Sequence, residues 1–362
     1  MHQRVEEAIA AFKRGEILVV ADDDDRENEG DLFVAASLCT PEKMAFIIRN
    51  TSGIVCAPLA AEDARRLHLD PMVAANEAPL GTAFTVSVDV RHGLTTGISA
   101  EERTNTVRAL ANGNSGAPDF VRPGHVFPLV ARQGGVLIRS GHTEACVDLC
   151  RLAGLPTVGV LSELMNDDGS VMRGPQLQAF AARHKLKSMT IADLIAYRQA
   201  RDKLVERIAE FEVDSDIGRL RAFAYVTPFD QVRHMAFILG DIGDGRSVLT
   251  RLHRGHMIGD VLGGAKVLRA AMAKIKAEGS GVIVYLQDGG AGVPSSAVPE
   301  AAQDSSEAAR TRQWREVGLG AQILRDLGIH SIRLLVSANR TYIGVTGFGI
   351  EIESMEHIPK TG

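Results

Sequence analysis

An acidic run near the amino terminus constrains the fold more than any other feature of this sequence. Between Asp22 and Asp31 the chain carries seven carboxylates and a single arginine. The apolar segment Ile17 to Val20 comes directly before it and is typical of a buried strand. The sequence therefore predicts that a core strand ends near residue 20 and that the acidic run is a loop leaving its end.

This acidic loop needs a positive partner, because neighbouring carboxylates repel one another. A divalent metal together with an anionic, oxygen-rich substrate would supply one. A merely solvated loop is the alternative, and it is the more common explanation of a charge run. The position at a strand end, and the mixture of acids, amide, arginine and glycine at 26–31, favour a ligand site and therefore an enzyme.

The composition favours a small-molecule partner. The chain has 362 residues, 45% of them hydrophobic, which is enough for two domains that each bury a core. A formal net charge of -5 argues against nucleic-acid or membrane-surface binding. The sequence has no stretch typical of a membrane span or a signal peptide, so we expect a cytoplasmic protein.

Short apolar strands alternate with amphipathic helices through the first 200 residues, which predicts an α/β-type domain. The main expected elements are helices at 4–14, from 41 and from 99 through 110, and strands at 17–20, 53–56 and 160–164. A charged helix from Ile191 to Phe211 is expected to connect this domain to a second α+β unit. We therefore predict an α+β protein with domains at 1–208 and 209–362.

Three further segments suggest chemistry. Residues 122–128 place His125 in a turn framed by proline and glycine, and residues 139–145 place Arg139 and His142 before a helix, where backbone N–H groups favour phosphate. Glu163 lies in an otherwise apolar strand, and burial there would suit acid/base work. Each has a structural alternative: a core histidine, a helix cap, or a carboxylate paired with an arginine.

Six short motifs in the first 200 residues form a specific set. They are Asp-Arg-Glu-Asn-Glu-Gly-Asp at 25–31, Gly-Ile-Val-Cys at 53–56, Thr-Thr-Gly-Ile-Ser-Ala at 95–100, Arg-Pro-Gly-His-Val-Phe-Pro-Leu at 122–129, Gly-His-Thr-Glu-Ala at 141–145 and Glu-Leu-Met-Asn-Asp-Asp-Gly at 163–169. In this order they resemble the 3,4-dihydroxy-2-butanone 4-phosphate synthases of riboflavin biosynthesis. The resemblance implies a mixed-sheet α/β-type domain and a lyase that converts D-ribulose 5-phosphate to L-3,4-dihydroxy-2-butanone 4-phosphate and formate.

The resemblance also implies roles for individual residues. Magnesium or manganese would be bound by Glu27 and His142. The substrate-binding residues would be Arg26, Glu27, Asp31, Arg139, Ser140, Gly141, His142, Thr143 and Glu163. Proton transfers would fall to His125 and Glu163, with Glu29 expected to share in them. The family's enzyme is a homodimer with composite sites, so His125 could serve the pocket of the neighbouring subunit.

The second half, from about residue 212, is similar to GTP cyclohydrolase II. That family binds zinc through three cysteines, and His256, Val267 and Arg269 stand in their places here. No cysteine follows Cys150 that could substitute. We therefore predict no zinc and no cyclohydrolase activity in this domain, which would be structural or would bind a ligand. The alternatives are a bifunctional enzyme and, from another class, an inactive metal- or phosphate-binding scaffold.

Overall fold

The structure is a computed structural model that describes residues 2–22, 27–78, 80–228, 232–255, 258–287, 318–337 and 350–358. The chain divides into two compact units, residues 1–198 and 199–362. The domain boundary predicted after residue 208 lies within the first strand of the second unit. Among the described residues, no helix has the length and apolar character that a membrane crossing requires.

The first unit is built on a seven-stranded sheet. Its strands are β1 (Leu18–Ala21), β2 (Gly30–Ala35), β3 (Cys56–Leu59), β4 (Val88–Val90), β5 (Phe120–Val130), β6 (Gly159–Glu163) and β7 (Lys187–Thr190). They lie in the order β4-β5-β3-β6-β2-β1-β7. The pairs β1–β7 and β3–β5 are parallel and the other pairs are antiparallel. The mixed sheet expected from the resemblance is therefore confirmed.

Helices cover both faces of this sheet. They are α1 (His2–Lys13), α2 (Pro41–Asn50), α3 (Ala61–Arg66), α4 (Ala100–Leu110), α5 (His142–Ala153), α6 (Pro175–His184) and α7 (Ile191–Arg201). One hydrophobic cluster packs α2, α4 and α6 against the sheet, and a second packs α1, α5 and α7 against the other face. Val19 enters the first cluster while its neighbours Leu18 and Val20 enter the second. The strands are apolar at successive positions because both faces are buried.

Several predicted element boundaries are confirmed. The Ser99 hydroxyl accepts a hydrogen bond from the backbone N–H of Glu102 at 3.1 Å, and α4 follows this capping box. Thr40 caps α2, whose first residue is proline. The strand predicted at 53–56 begins only at Cys56, because Gly53 has a left-handed backbone (φ +75°) that ends regular pairing.

The second unit contains another seven-stranded mixed sheet. Its strands are β8 (Glu206–Ser215), β9 (Gly218–Val226), β10 (Arg233–Leu239), β11 (Val248–Arg254), β12 (Gly281–Leu286), β13 (Ser331–Val336) and β14 (Glu351–His357). Their order is β14-β13-β11-β12-β10-β9-β8. Helix α8 (Lys266–Glu278) packs against it, and residues 318–326 are also helical. The loop predicted at 288–302 lies outside the described residues.

The connecting helix predicted at 191–211 is wrong beyond Arg201, where α7 ends. Residues 206–215 form β8 and pair with β9 across a two-residue turn. Within β8, Ala209, Phe211 and Val213 alternate with acids, a period of two that suits a strand. The high charge of this segment concealed that alternation.

Candidate active site

The predicted site residues gather at one end of the first sheet. Strand pairing places Asp31 of β2 directly opposite Val20 of β1 on one side and Glu163 of β6 on the other. The acidic loop leaves β1 at this end and returns as β2. Because β1 and β2 are adjacent and antiparallel, Asp22 and residues 27–29 lie at the same end of the sheet as Glu163.

Asp22 forms hydrogen bonds with the other end of the acidic loop. Its two carboxylate oxygens accept hydrogen bonds from the backbone N–H groups of Glu27, at 3.1 Å, and Glu29, at 3.0 Å. Its own backbone N–H donates to the carbonyl oxygen of Glu29 at 3.1 Å. These bonds bring the second half of the loop back to the end of β1. Arg26 lies outside the described residues, so its predicted substrate contact stays a prediction.

His142 is buried at the first position of α5 and faces the acidic loop. Its Nδ1 lies 3.6 Å from Oε2 of Glu27, and its Nε2 lies 3.2 Å from the carbonyl oxygen of Val20. A carbonyl oxygen can only accept, so Nε2 is the nitrogen that carries hydrogen in the neutral ring. Nδ1 then presents its lone pair on the side of Glu27, as a metal-ligating histidine does.

Asp22, Glu27 and His142 could hold a metal ion together. Each offers one ligand atom, and the three atoms lie within 4.8 Å of one another. Two carboxylate oxygens and one imidazole nitrogen fit Mg²⁺ or Mn²⁺, with water or substrate completing the coordination. In addition, Oδ1 of the buried Asp31 has no hydrogen-bond partner among the described residues, so a nearby cation would compensate an acid that the protein leaves unsatisfied.

Two carboxylates of this site have strongly raised pKa values. Burial is the main cause that raises the pKa of Asp31 to about 8; the charges of Glu163, Glu29 and Glu27 act in the same direction, and His142 opposes them. Burial, followed by the charge of Glu27, raises the pKa of Glu29 to about 7. Without a cation, these groups retain protons near neutral pH. Pairs of acids with shifted pKa values are suited to proton transfer.

Arg139 lies beside the first turn of α5. Its guanidinium donates to Oε2 of Glu144 at 2.6 Å and to the carbonyl oxygen of Leu80 at 3.1 Å. A Cβ atom at Gly141 would overlap this guanidinium, so a larger residue there would displace the Arg139 side chain. The first N–H groups of a helix have no intrahelical acceptor. A guanidinium next to them is an arrangement that suits an anion.

Two buried carboxylates of α5 hold the segment that carries Arg139. Glu144 binds Arg139 with one oxygen and accepts the backbone N–H of Arg132 at 3.0 Å with the other. One turn later, Asp148 accepts the backbone N–H of Val136 at 2.8 Å and the guanidinium of Arg198 at 2.6 Å. The segment 132–139 is thus fixed to the helix at both ends.

Glu163 and His125 differ from the expectations made for them. Glu163 is only partly buried, because it is the last residue of β6, and its Oε2 accepts from the Ser52 hydroxyl at 2.8 Å. His125 is on β5, and β3 and β6 separate that strand from β2. Three strand spacings amount to roughly 14 Å. The structure therefore does not bring His125 to the acidic loop of its own chain.

Sequence reasoning missed three residues: two that the structure connects to this site and one that holds His125. Asp22 belongs to the acidic run but was given no ligand role. Glu144 lies inside the motif at 141–145 and holds Arg139. Asp89 is buried on β4 and hydrogen-bonds to His125. An acid within the apolar alternation at 86–90 was a signal that could have identified Asp89.

In the second unit, a hydrogen-bonded cluster lies on β11, β12 and the short π-helix at Ile258–Leu262. Nε2 of His253 lies 3.1 Å from both carboxylate oxygens of Asp260, and the Tyr285 hydroxyl donates to the same carboxylate at 2.8 Å. Val267 and Arg269 lie on α8. Neither side chain is a zinc ligand in proteins. His256 lies outside the described residues.

Comparison with known proteins agrees with this division. Residues 6–197 match the family 3,4-dihydroxy-2-butanone 4-phosphate synthase, and residues 206–359 match the family GTP cyclohydrolase II. Riboflavin biosynthesis protein RibBA of Salinispora arenicola (strain CNS-205) is 45% identical over 371 residues, covering 98% of this chain and 88% of that protein.

Two solved structures are similar as well. The crystal structure of RibBX, a two-domain 3,4-dihydroxy-2-butanone 4-phosphate synthase from A. baumannii, is 36% identical with a TM-score of 0.81, covering 98% of this chain and 99% of that one. A 3,4-dihydroxy-2-butanone 4-phosphate synthase in complex with two magnesium ions is 48% identical with a TM-score of 0.54, covering 55% of this chain and 97% of that one. The chain therefore belongs to the 3,4-dihydroxy-2-butanone 4-phosphate synthase family of riboflavin biosynthesis, as an enzyme whose synthase domain is followed by a GTP cyclohydrolase II domain.

Proposed function

We propose that the first unit converts D-ribulose 5-phosphate to L-3,4-dihydroxy-2-butanone 4-phosphate and formate with Mg²⁺ or Mn²⁺. The observation that carries this proposal is the group formed by Asp22, Glu27 and His142, whose ligand atoms lie within 4.8 Å of one another. Arg139 and the start of α5, which follows it directly in the chain, would together bind the phosphate. A metal site beside a phosphate site matches the two ends of a sugar phosphate.

The chain's own residues have separate tasks in this reaction. The phosphate is held by Arg139 and by the backbone of Ser140 to Thr143 at the start of α5. A bound cation would stabilise the negative charge that develops on vicinal oxygens of the sugar. Glu29 and Asp31, whose raised pKa values lie near neutrality, can hold a proton in one step and release it in another. Glu163, which pairs opposite Asp31 in the sheet, would share these transfers.

We also propose that His125 acts in the site of a second copy, so that the enzyme is a homodimer. The strand order supports this, because β3 and β6 lie between His125 and the acidic loop of the same chain. Mixing two inactive variants tests it. Heterodimers of Glu27→Gln and His125→Ala subunits should regain up to about a quarter of wild-type activity if the sites are composite and subunits exchange at random. No recovery, with exchange verified, would contradict the proposal.

The second unit, in this proposal, does not hydrolyse GTP. Its sequence has no cysteine, and Val267 and Arg269 occupy two of the three positions where the family has zinc ligands. Opening a guanine ring requires a water activated by a metal ion, and a catalytic zinc ion is usually bound by three protein ligands. This domain lacks at least two of them. The match to the GTP cyclohydrolase II family at 206–359 keeps a bifunctional enzyme as the second candidate.

One assay distinguishes these functions. Both reactions release formate, so ribulose 5-phosphate and GTP are supplied separately to the purified full-length protein, with Mg²⁺, with Mn²⁺ and with EDTA. We expect formate from ribulose 5-phosphate with either metal, none with EDTA, and none from GTP. Formate release that resists EDTA would contradict the metal site. Stoichiometric zinc together with GTP turnover would establish the bifunctional enzyme instead.

A further inference from the structure

His125 is held by a buried carboxylate on the neighbouring strand. Oδ2 of Asp89 lies 2.7 Å from Nδ1 of His125, and Oδ1 accepts the backbone N–H of the same residue at 2.9 Å. The Asp89 side chain is 4% exposed, whereas that of His125 is 40% exposed. Both oxygens of one carboxylate therefore fix one histidine, which keeps access to solvent or substrate.

This contact determines which nitrogen of His125 carries hydrogen. A carboxylate oxygen only accepts hydrogen bonds, so Nδ1 must be the donor. In the neutral ring, Nε2 then has the lone pair. Nε2 has no hydrogen-bond partner among the residues that the structure describes. The ring is thus oriented with one nitrogen anchored and the other available for a proton.

The surroundings of the pair are closely packed. A Cβ atom at Gly97 would overlap the Asp89 carboxylate, and a Cβ atom at Gly124 would overlap the backbone of β4 at Val88. The loop that carries Gly97 is held by Glu102, whose carboxylate accepts the backbone N–H and the hydroxyl of Thr95 at 2.7 and 2.8 Å. Small residues at these points allow the strand, the loop and the histidine to meet.

We propose that Asp89 is a positioning residue that holds His125 in its Nδ1–H form, so that Nε2 takes up a proton from the substrate and returns it. This inference rests on the proposed function, in which His125 transfers protons. The same logic applies to other enzymes in which a carboxylate orients a histidine and the far nitrogen exchanges the proton. Asp89 itself does not touch the substrate.

The chain offers a matched control. His92 and Asp119 form a second histidine–carboxylate pair, at 3.3 Å, but their side chains are 78% and 36% exposed. An exposed pair of this kind contributes little to orientation. Asp89→Asn should therefore lower kcat by about 10²-fold or more while KM changes by less than about threefold. Asp119→Asn should leave both constants within about twofold of wild type.

A double-mutant cycle separates positioning from a general structural effect. If Asp89 acts through His125, His125→Ala and the combined Asp89→Asn, His125→Ala variant should have the same kcat. If the kcat of the double variant fell by the product of the two single-variant reductions, the inference would be overturned. An inactive His125→Ala protein with a fully active Asp89→Asn protein would overturn it as well, while leaving the proposed role of His125 intact. A fully active His125→Ala protein would instead contradict the proposed role of His125 in proton transfer, and this inference with it.

The tautomer can be measured without any assay of activity. In the ¹⁵N-labelled wild-type protein, NMR of the imidazole nitrogens should give His125 as the Nδ1–H form, and Asp89→Asn should shift it toward a mixture of forms. The wild-type spectrum depends neither on the substrate nor on the folding of a variant. An Nε2–H form for His125 in the wild-type protein would overturn the inference.

Discussion

Glu27 connects the acidic loop to His142, and its carboxylate is the part of the proposed metal site that a single substitution tests best. Glu27→Gln keeps the size of the side chain but removes its charge. We expect Mg²⁺ binding, measured by calorimetry, to weaken by about 10-fold or more, and formate release to fall by about 10²-fold or more.

Glu62→Gln is the control for this change. Glu62 also lies in the first unit, but it is 64% exposed and far in sequence from the acidic loop. Its substitution should leave Mg²⁺ affinity and rate unaltered. Equal Mg²⁺ affinity in wild type and Glu27→Gln would show that the cation is held elsewhere.

The raised pKa of Asp31 predicts how the metal-free protein depends on pH. The pKa is about 8 in the folded protein and near 4 in an unfolded chain. The folded state therefore holds a proton that the unfolded state has lost between these values, so stability falls as the pH rises from about 4 through about 8. With EDTA present, Tm should decrease between pH 6 and pH 8.5.

Two comparisons test the origin of that decrease. Asp31→Asn has no titrating carboxyl at this position, so its Tm should vary less with pH than that of the wild type. Mg²⁺ should raise the wild-type Tm more at pH 8.5 than at pH 6, because binding competes with the proton. Parallel Tm curves for wild type and Asp31→Asn would show that Asp31 is not the titrating group.

Helix α5 begins at the proposed phosphate site, and substitutions of its two buried carboxylates should give different phenotypes. Glu144 contacts Arg139, so Glu144→Gln should raise KM for ribulose 5-phosphate by about 10-fold with a smaller effect on kcat. Asp148 contacts Val136 and Arg198 but not Arg139. Asp148→Asn should therefore lower Tm while changing KM less. The reverse pattern in steady-state kinetics and thermal melts would refute this assignment.

The two-unit organisation predicts that the synthase domain works alone. The first unit has its own sheet with both faces covered, and the magnesium-bound synthase structure that it resembles spans 55% of this chain. A protein of residues 1–203 should fold and release formate from ribulose 5-phosphate within about threefold of the full-length rate.

The same truncation addresses the role of the second unit. A large loss of rate would indicate that the second unit regulates the first, and a lower Tm or a changed oligomeric state would indicate a structural role. Unchanged rate, stability and oligomeric state would make the second unit dispensable for the synthase. Circular dichroism, thermal melts and sedimentation measure these properties.

Local sequence was a good guide where the signal was local. The capping box at Ser99 and the proline start of α2 both follow from side chains within a few residues. Local sequence was a poor guide where contacts with residues distant in the sequence determine the structure. Residues 206–211 of β8 were predicted as helix because their charges concealed a period of two that matters only when β9 pairs with the strand. Glu163 was expected to be buried, but its strand ends at that residue.

The amino-acid sequence by itself determined the chemical inventory: an acidic loop at a strand end, an arginine before a helix, and a second half without cysteine. These depend on residue types and short spacings, which folding does not alter. Tertiary structure decided which groups meet. Asp22 joins Glu27 and His142, burial shifts the pKa of Asp31, and Asp89 holds His125. Such contacts and burial depend on the order in which distant strands pair, and no local pattern encodes that order.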